Sequence, residues 1–269
     1  MLRVVPGEPA ALVVGRHRAL VVADLHIGFE RELSRAGANI PSQTPKTLAR
    51  VRSLVERYRP DRLILLGDVK HGVPAISDQE WAELPEFFER LLELGVSVEV
   101  VPGNHDGGIE ALAPRGVVIH DSRGVEVEGV ALLHGHTWPS RRLLRCRTMV
   151  VAHNHLVVEL RDRMGHREVA PVWMAVEVDG EGARRIYERS HGPGEARPRL
   201  RRLVVMPAFN TLLPGKPVNA GDRSFLGPIL ESGVVELDGA EVFMVDGTYL
   251  GRLSELAPKL NMGLGSPKA

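Results

Sequence analysis

Cysteine is nearly absent. Cys146 stands alone in 269 residues, so no internal disulfide can form, and a reducing compartment suits the chain. Aromatics make up only 4%, which leaves few rings for base stacking; Trp138 and Phe209 are the candidates. Lysine is scarce as well: Lys46, Lys70, Lys216, Lys259 and Lys268 are the only five among 34 basic residues. Formal net charge is zero, so no global field draws the chain to nucleic acid or membrane, and any such contact must use a local patch. No apolar run approaches the roughly 20 residues that a membrane span needs, and the start, Met1 to Pro9, reads without a signal peptide. A cytoplasmic protein without a membrane partner is expected.

At this length the chain can bury a sizeable core. Residues 11–14 and 19–23 read as two strands around Gly15-Arg16-His17-Arg18, a hairpin. Residues 27–43 read as loop and short helix. Thr44-Pro45 reads as cap and first turn of a helix with Leu48, Val51, Leu54, Val55 and Tyr58 on one face. A buried strand follows at 63–66. Ser77-Asp78-Gln79-Glu80 is a capping box; the helix it opens contains Pro85, which predicts a kink or two short helices. Residues 96–101 form the next strand. Strand, helix, strand, helix, strand predicts an α/β layer.

The second half reads as mostly antiparallel. Strands are expected at 117–120, 124–127, 130–133, 149–151, 156–160, 172–178 and 183–188, with a hairpin at Val178-Asp179-Gly180-Glu181-Gly182. A short basic helix is expected within 139–147, a loop at 190–198, a strand at 203–206 and a long loop at 209–221. A last meander is expected at 234–237, 240–245 and 249–253. The domain reading is a single domain over 1–269, with a core at 11–190, a β-rich extension at 199–257 and a frayed tail at 261–269.

Polar residues gather at the ends of the apolar runs: Asp24-Leu25-His26, Gly67-Asp68, Gly103-Asn104-His105-Asp106, His134-Gly135-His136 and His153-Asn154-His155. Asp24 and His26 lie two apart, as do His153 and His155, so in extended backbone each pair can face one side. Carboxylate, imidazole and amide together suit a divalent transition ion or zinc. Seven ligands are too many for one ion and suit two that share a carboxylate. Two such ions can activate a hydroxide and neutralise a phosphoryl oxygen. His136 could face the same side as His134 and touch substrate. Arg141, Arg142, Arg145 and Arg147 form one basic cluster, and Arg197, Arg199, Arg201 and Arg202 a second; either could track a phosphate backbone.

In this order the five stretches resemble the calcineurin-like metallophosphoesterase superfamily, whose pattern runs DxH, GD, GNH[DE], H and GHxH. Ala152 departs from it, standing where the family usually has Gly; if that backbone needs φ > 0 the loop must differ. The resemblance implies a four-layer αββα sandwich of two mixed sheets flanked by helices, with the site at strand ends. It implies that Asp24, His26, Asp68 and His155 hold a first ion. It implies that Asp68, Asn104, His134 and His153 hold a second, with Asp68 bridging. His105 would touch the phosphate and protonate the leaving oxygen. Mn²⁺ is the ion first expected, with Zn²⁺, Fe²⁺, Ni²⁺ or Mg²⁺ as alternatives.

Gly67-Asp68-Val69-Lys70-His71 also matches the GDxxH arrangement of double-strand-break repair nucleases, which makes His71 a catalytic candidate. Met206-Pro207-Ala208-Phe209-Asn210 and Asp246-Gly247-Thr248-Tyr249-Leu250-Gly251 resemble an archaeal branch of small phosphoesterases that includes a helicase-associated single-strand nuclease. The expected function is a two-metal phosphodiesterase cleaving nucleic acid, with single-stranded DNA as substrate, Arg141 and Arg142 as phosphate contacts and a helicase as possible partner. One alternative is a phosphodiesterase or phosphatase for a small or cyclic nucleotide. The other is a non-enzymatic partner module of a helicase or ligase.

Overall fold

The structure, a computed structural model, describes residues 1–161, 164, 166–193, 198–220 and 224–259. The expected tail at 261–269 and Arg197 lie outside these residues. The first half contains β1 (Leu2–Val4), β2 (Ala10–Val14), β3 (Arg18–Val22), α1 (Phe29–Arg35), α2 (Thr44–Tyr58), β4 (Arg62–Leu66), α3 (Asp78–Leu92), β5 (Ser97–Val101) and β6 (Val118–Ile119). The second contains β7 (Val125–Val127), β8 (Val130–Leu132), β9 (Thr148–Val151), β10 (Leu156–Arg161), β11 (Arg167–Glu177), α4 (Gly180–His191), β12 (Arg202–Val205), β13 (Lys216–Pro217), α5 (Pro228–Glu231), β14 (Glu241–Met244), β15 (Tyr249–Arg252) and α6 (Leu253–Lys259). Short 3₁₀ turns cover Ile109–Ala111 and Arg141–Arg145.

The first sheet runs β1-β2-β3-β4-β5-β6. Its β3, β4, β5 and β6 pair in parallel. The second runs β13-β10-β11-β12-β9-β8-β7, with β14 on β11 and β15 on β14. Both are mixed. Alternation along each strand sets the layers. Ala19 and Val21 face inward, where Ile64, Leu66 and Val101 meet Val130, Leu132, Val150 and Trp173 of the other sheet. Leu20 and Val22 face outward, onto Val51, Leu54 and Val55 of α2 and Leu84, Phe87 and Phe88 of α3. On the far side, Met174 and Val176 of β11 pack with Ala183, Ile186 and Tyr187 of α4. This is the expected four-layer arrangement of two sheets flanked by helices.

Several local expectations need correction. Residues 183–188 are helix, within α4. The Asp179-Gly180 pair that reads as a hairpin turn is instead a helix start: the Asp179 carboxylate accepts from the Gly182 N–H at 2.6 Å, and buried Ala183, Ile186 and Tyr187 follow at three- and four-residue spacing. Residues 234–237 form no strand, and α5 and α6 were not foreseen. The second sheet is mostly antiparallel, as expected, but among the described residues it also holds three parallel pairs, β8 with β9, β9 with β12 and β10 with β13. Pro85 lies inside one continuous helix. The 199–257 stretch supplies β12 to the middle of the second sheet, between β9 and β11.

The topology positions the site. Because β3, β4 and β5 run parallel, their carboxyl ends align and deliver Asp24, Asp68 and Asn104 to one edge. Parallel β8 and β9 likewise deliver His134 and His153 from the facing sheet. That convergence is where open α/β sheets place their sites.

Candidate active site

Five of the seven expected ligands sit in left-handed backbone: Asp24 (φ 54°), His26 (φ 44°), Asp68 (φ 48°), His153 (φ 70°) and His155 (φ 44°). Each strand ends and the chain turns at once, so the donor side chains project over the sheet edge. Asp and His tolerate this region better than most residues. Ala152 is not among the left-handed residues; the strain falls on His153, and Ala fits where the family has Gly. Gly67 and Gly103 are required by contact with site residues. A Cβ on Gly67 would meet His134 Nδ1 at 2.2 Å, and one on Gly103 would meet Asp68 Oδ1 at 2.1 Å.

Asp68 stands at the centre. Its Oδ2 lies 3.4 Å from His26 Nε2 and 3.3 Å from His134 Nε2, while its Oδ1 accepts the His105 backbone N–H at 2.9 Å. On one side are Asp24, His26 and His155, whose donor atoms lie within 4.8 Å of one another. On the other are Asp68, His134 and His153, equally close. Asn104 Oδ1 is 3.2 Å from His134 Nε2.

These donors fit cations. His134 Nδ1–H donates to the Leu66 carbonyl at 3.2 Å, which leaves Nε2 as a lone pair in the neutral ring. That lone pair faces Asn104 Oδ1, His153 Nδ1 and Asp68 Oδ2, all within 3.3 Å. In the neutral ring this crowds four polar atoms onto one point, more acceptors than a single proton can satisfy. Across the site, both oxygens of Asp24, His26 Nε2 and His155 Nε2 are buried without a hydrogen-bond partner among the described residues. A buried, unsatisfied carboxylate is costly, and a divalent ion satisfies it.

Electrostatics agree. Burial works against the charged form of Asp68, yet the His134 hydrogen bond and the charges of His134 and His26 outweigh it and hold the carboxyl below its ordinary range. Burial opposes ionisation of Asp24 too, but the His155 imidazole, 3.6 Å from Asp24 Oδ1, and the His134 charge outweigh it and lower the carboxyl. Burial also opposes a charged His134, but its Asp68 hydrogen bond and the Asp68 and Asp24 charges raise it to about 9. Burial lowers His26 to about 3 and His153 to about 4. Without an ion, a proton on His134 fills part of the charge deficit; an ion bound there would displace it.

The supporting contacts explain several sequence features. His71 Nε2–H donates to Glu32 Oε2 at 2.6 Å, so His71 Nδ1 can accept from His26 Nδ1–H at 3.1 Å. His71 therefore backs His26. Its carbonyl accepts from His105 Nδ1–H at 2.6 Å, and His71 and His105 stack with centroids 5.4 Å apart. Asp106 is fully enclosed, accepting from Gly103 N at 2.8 Å, Val69 N at 2.8 Å and Lys70 N at 3.1 Å; burial raises it to about 6. Glu80 completes the capping box of α3 and also accepts from the His71 and Gly72 N–H groups. The Met206–Asn210 stretch braces the first loop: Phe209 N–H donates to the Ala23 carbonyl and Asn210 Nδ2 to the Leu25 carbonyl, both at 2.9 Å. Asn154 ties its loop to Leu226, accepting from Leu226 N at 2.8 Å and donating to its carbonyl at 3.1 Å.

His136 lies beside His134 and His153, with ring centroids 5.3 and 6.2 Å away; burial lowers it to about 4. Arg141 is engaged elsewhere: its guanidinium lies 5.5 Å over the Tyr187 ring of α4. Arg142 is exposed on the same turn. Beyond His105 and His71 opens a pocket of about 400 Å³ lined by Arg31, Glu32, Arg35 and the 72–78 loop. Glu32, Glu80 and Asn154 are functional supports that sequence reasoning missed. Their partners lie far along the chain or depend on loop geometry; only the capping box hinted at Glu80.

The calcineurin-like phosphoesterase model matches residues 17–202. Among curated proteins none matches the sequence. Among solved structures, the Pseudomonas putida nuclease MPE is 20% identical, with a TM-score of 0.52 over 93% of this chain and 100% of that one. YfcE, a phosphoesterase from E. coli, is 23% identical, with a TM-score of 0.34 over 54% of this chain and 73% of its own. A predicted phosphoesterase from Streptococcus pneumoniae is 12% identical, with a TM-score of 0.29 over 88% of this chain and 95% of its own. At these identities the likeness to the Pseudomonas putida protein speaks to the fold. Since the family model spans well over half of the residues and covers Asp24, His26, Asp68, Asn104, His134, His153 and His155, the chain belongs to the calcineurin-like phosphoesterase family.

Proposed function

We propose that the protein is a two-metal phosphodiesterase that cleaves nucleic acid, with single-stranded DNA as the preferred substrate, Mn²⁺ as the preferred ion and DNA repair as the setting. The observation that supports it most is Asp68 Oδ2, poised within 3.4 Å of both His26 Nε2 and His134 Nε2. In this reading Asp24, His26, Asp68 and His155 hold one ion, and Asp68, Asn104, His134 and His153 the other. Bound there, the ions would supply an activated water and neutralise charge on the phosphoryl oxygens. The chain itself supplies orientation and a proton. His105 Nδ1–H is committed to the His71 carbonyl, so Nε2 is the atom that faces substrate and can protonate the departing oxygen. The pocket beyond His105 would take the leaving-group side of the diester, with Arg31 and Arg35 at its wall. The fold neighbour from Pseudomonas putida is named a nuclease, and a helicase is a possible partner.

The test is an assay in Mn²⁺ against labelled single-stranded DNA, duplex DNA and bis-p-nitrophenyl phosphate side by side. Single-stranded DNA should be cut fastest per unit of enzyme. Activity on the small diester with none on either DNA would favour a small-nucleotide phosphodiesterase instead.

A further inference from the structure

The two arginine clusters meet in space, at the other end of the molecule from the ligands. Arg145 and Arg147 lead into β9, and Arg199 and Arg201 lead into β12. The two lead-in segments are locked together: Arg199 N–H donates to the Leu144 carbonyl, and Arg201 and Arg202 N–H both donate to the Arg147 carbonyl, at 2.8 to 3.0 Å. They extend the parallel β9–β12 ladder backwards. Side chains alternate along them. Leu144, Cys146 and Leu200 point into the core beneath, so Arg145, Arg147, Arg199 and Arg201 are exposed on the opposite face. All four line one pocket of about 390 Å³, together with Glu126, Gly129 and Cys146.

Like charges side by side on adjacent strands are destabilising, and a guanidinium cannot shed its proton. Among the described residues no carboxylate lies within ion-pair distance of any of the four; Arg201 Nη1 donates to the Leu200 carbonyl at 2.7 Å. The cluster stands at the amino ends of β9 and β12, and the carboxyl end of β9 leads to His153. His153 lies six positions after Arg147, about 20 Å at a strand rise of about 3.3 Å per residue.

We propose that this pocket is a second anion site, built for a compact phosphate chain such as a di- or triphosphate. Guanidinium forks match phosphate oxygens in pairs, and the volume is that of a small-ligand site. Four arginines on two adjacent segments line one concave spot. A contiguous di- or triphosphate can meet them together, whereas phosphates spread along an extended nucleic-acid strand would reach only one or two. The site is independent of the nuclease reading, because it lies away from the metal ligands.

The test is calorimetric titration of the full-length, metal-loaded protein with inorganic tripolyphosphate in saturating Mg²⁺. Arg147→Ser with Arg201→Ser should weaken binding at least tenfold and leave hydrolysis of bis-p-nitrophenyl phosphate, metal content and thermal unfolding unchanged. Arg145→Ser with Arg199→Ser, tested separately, should behave alike. A nucleoside triphosphate that binds more tightly than tripolyphosphate assigns the natural source to a nucleotide; equal binding assigns it to inorganic phosphate chains. Identical isotherms for wild type and both variants would overturn the site. So would hexaglutamate competing as well as tripolyphosphate, or a single-stranded oligonucleotide alone losing affinity in the variants.

Discussion

The ring of His105 is held from behind by the backbone of His71: His105 Nδ1–H donates to the His71 carbonyl at 2.6 Å. The opposite nitrogen is thereby left free to deliver a proton. The ring of His105 stands near those of His26 and His71, with ligand atoms within 4.8 Å, but its Nδ1–H is committed to the His71 carbonyl, and its backbone N–H, not its ring, meets Asp68. His105→Ala should therefore keep both metals and lose about 10²–10⁴-fold in kcat. The loss should be larger on a DNA diester, whose alkoxide needs a proton, than on a p-nitrophenyl ester. Equal losses on the two substrates would leave His105 as an electrostatic support only.

Asp68→Asn should lose activity and at least one ion. The variant keeps the shape but removes the charge that faces both His26 and His134. Metal analysis of the purified variant reads the outcome directly: two tightly held ions would contradict a shared carboxylate.

His71 acts through its neighbour. Its side chain fixes the His26 tautomer by accepting from Nδ1–H, and its carbonyl, which any substitution keeps, fixes His105. His71→Ala should weaken metal affinity at the His26 side by about 10–100-fold. Activity should return at high Mn²⁺, because the proton donor is still held. A kcat that stays low at saturating Mn²⁺ would give His71 a direct part in the chemistry.

Glu99 gives a stability test remote from the metals. Arg62 reaches it with two parallel bonds of 2.6 and 2.7 Å, and His120 adds a third of 2.6 Å. Burial alone would raise this carboxyl, but the Arg62 and His120 bonds outweigh it and lower it from 4.5 to about 2. A depressed folded value means that the stabilisation is present above pH 4.5 and fades as pH falls towards 2. Glu99→Gln should therefore lose on the order of 3 kcal/mol near neutral pH. In urea melts the gap between wild type and variant should close between about pH 4.5 and pH 2. A gap that is constant with pH would mean that packing, and not charge, accounts for the loss.

The cluster of donor side chains was legible because polar residues at the ends of apolar strands have no packing role there, and because parallel strands bring such ends together. Asp24, Asp68 and Asn104 follow from that logic alone. What holds them was not legible: Glu32 reaches His71 across 39 positions, and such a contact leaves no periodic trace. The Asp179-Gly180 pair was misread because the same dipeptide serves a turn and a helix cap, and only the spacing of Ala183, Ile186 and Tyr187 decides between them. The arginine clusters could be seen as clusters, but the parallel pairing of β9 with β12 that unites them could not be seen from either alone.

The left-handed backbone at Asp24, His26, Asp68, His153 and His155 has a consequence for how such a site drifts over generations. Each position holds a conformation that glycine would adopt more comfortably, at a standing cost of about 1 kcal/mol or more for other residues. Glycine arising at any of the five would relax the apoprotein while deleting a candidate metal donor. The easiest stabilising mutations and the most damaging ones thus coincide, so a lineage released from selection for metal binding should lose these residues to glycine early and remain well folded afterwards.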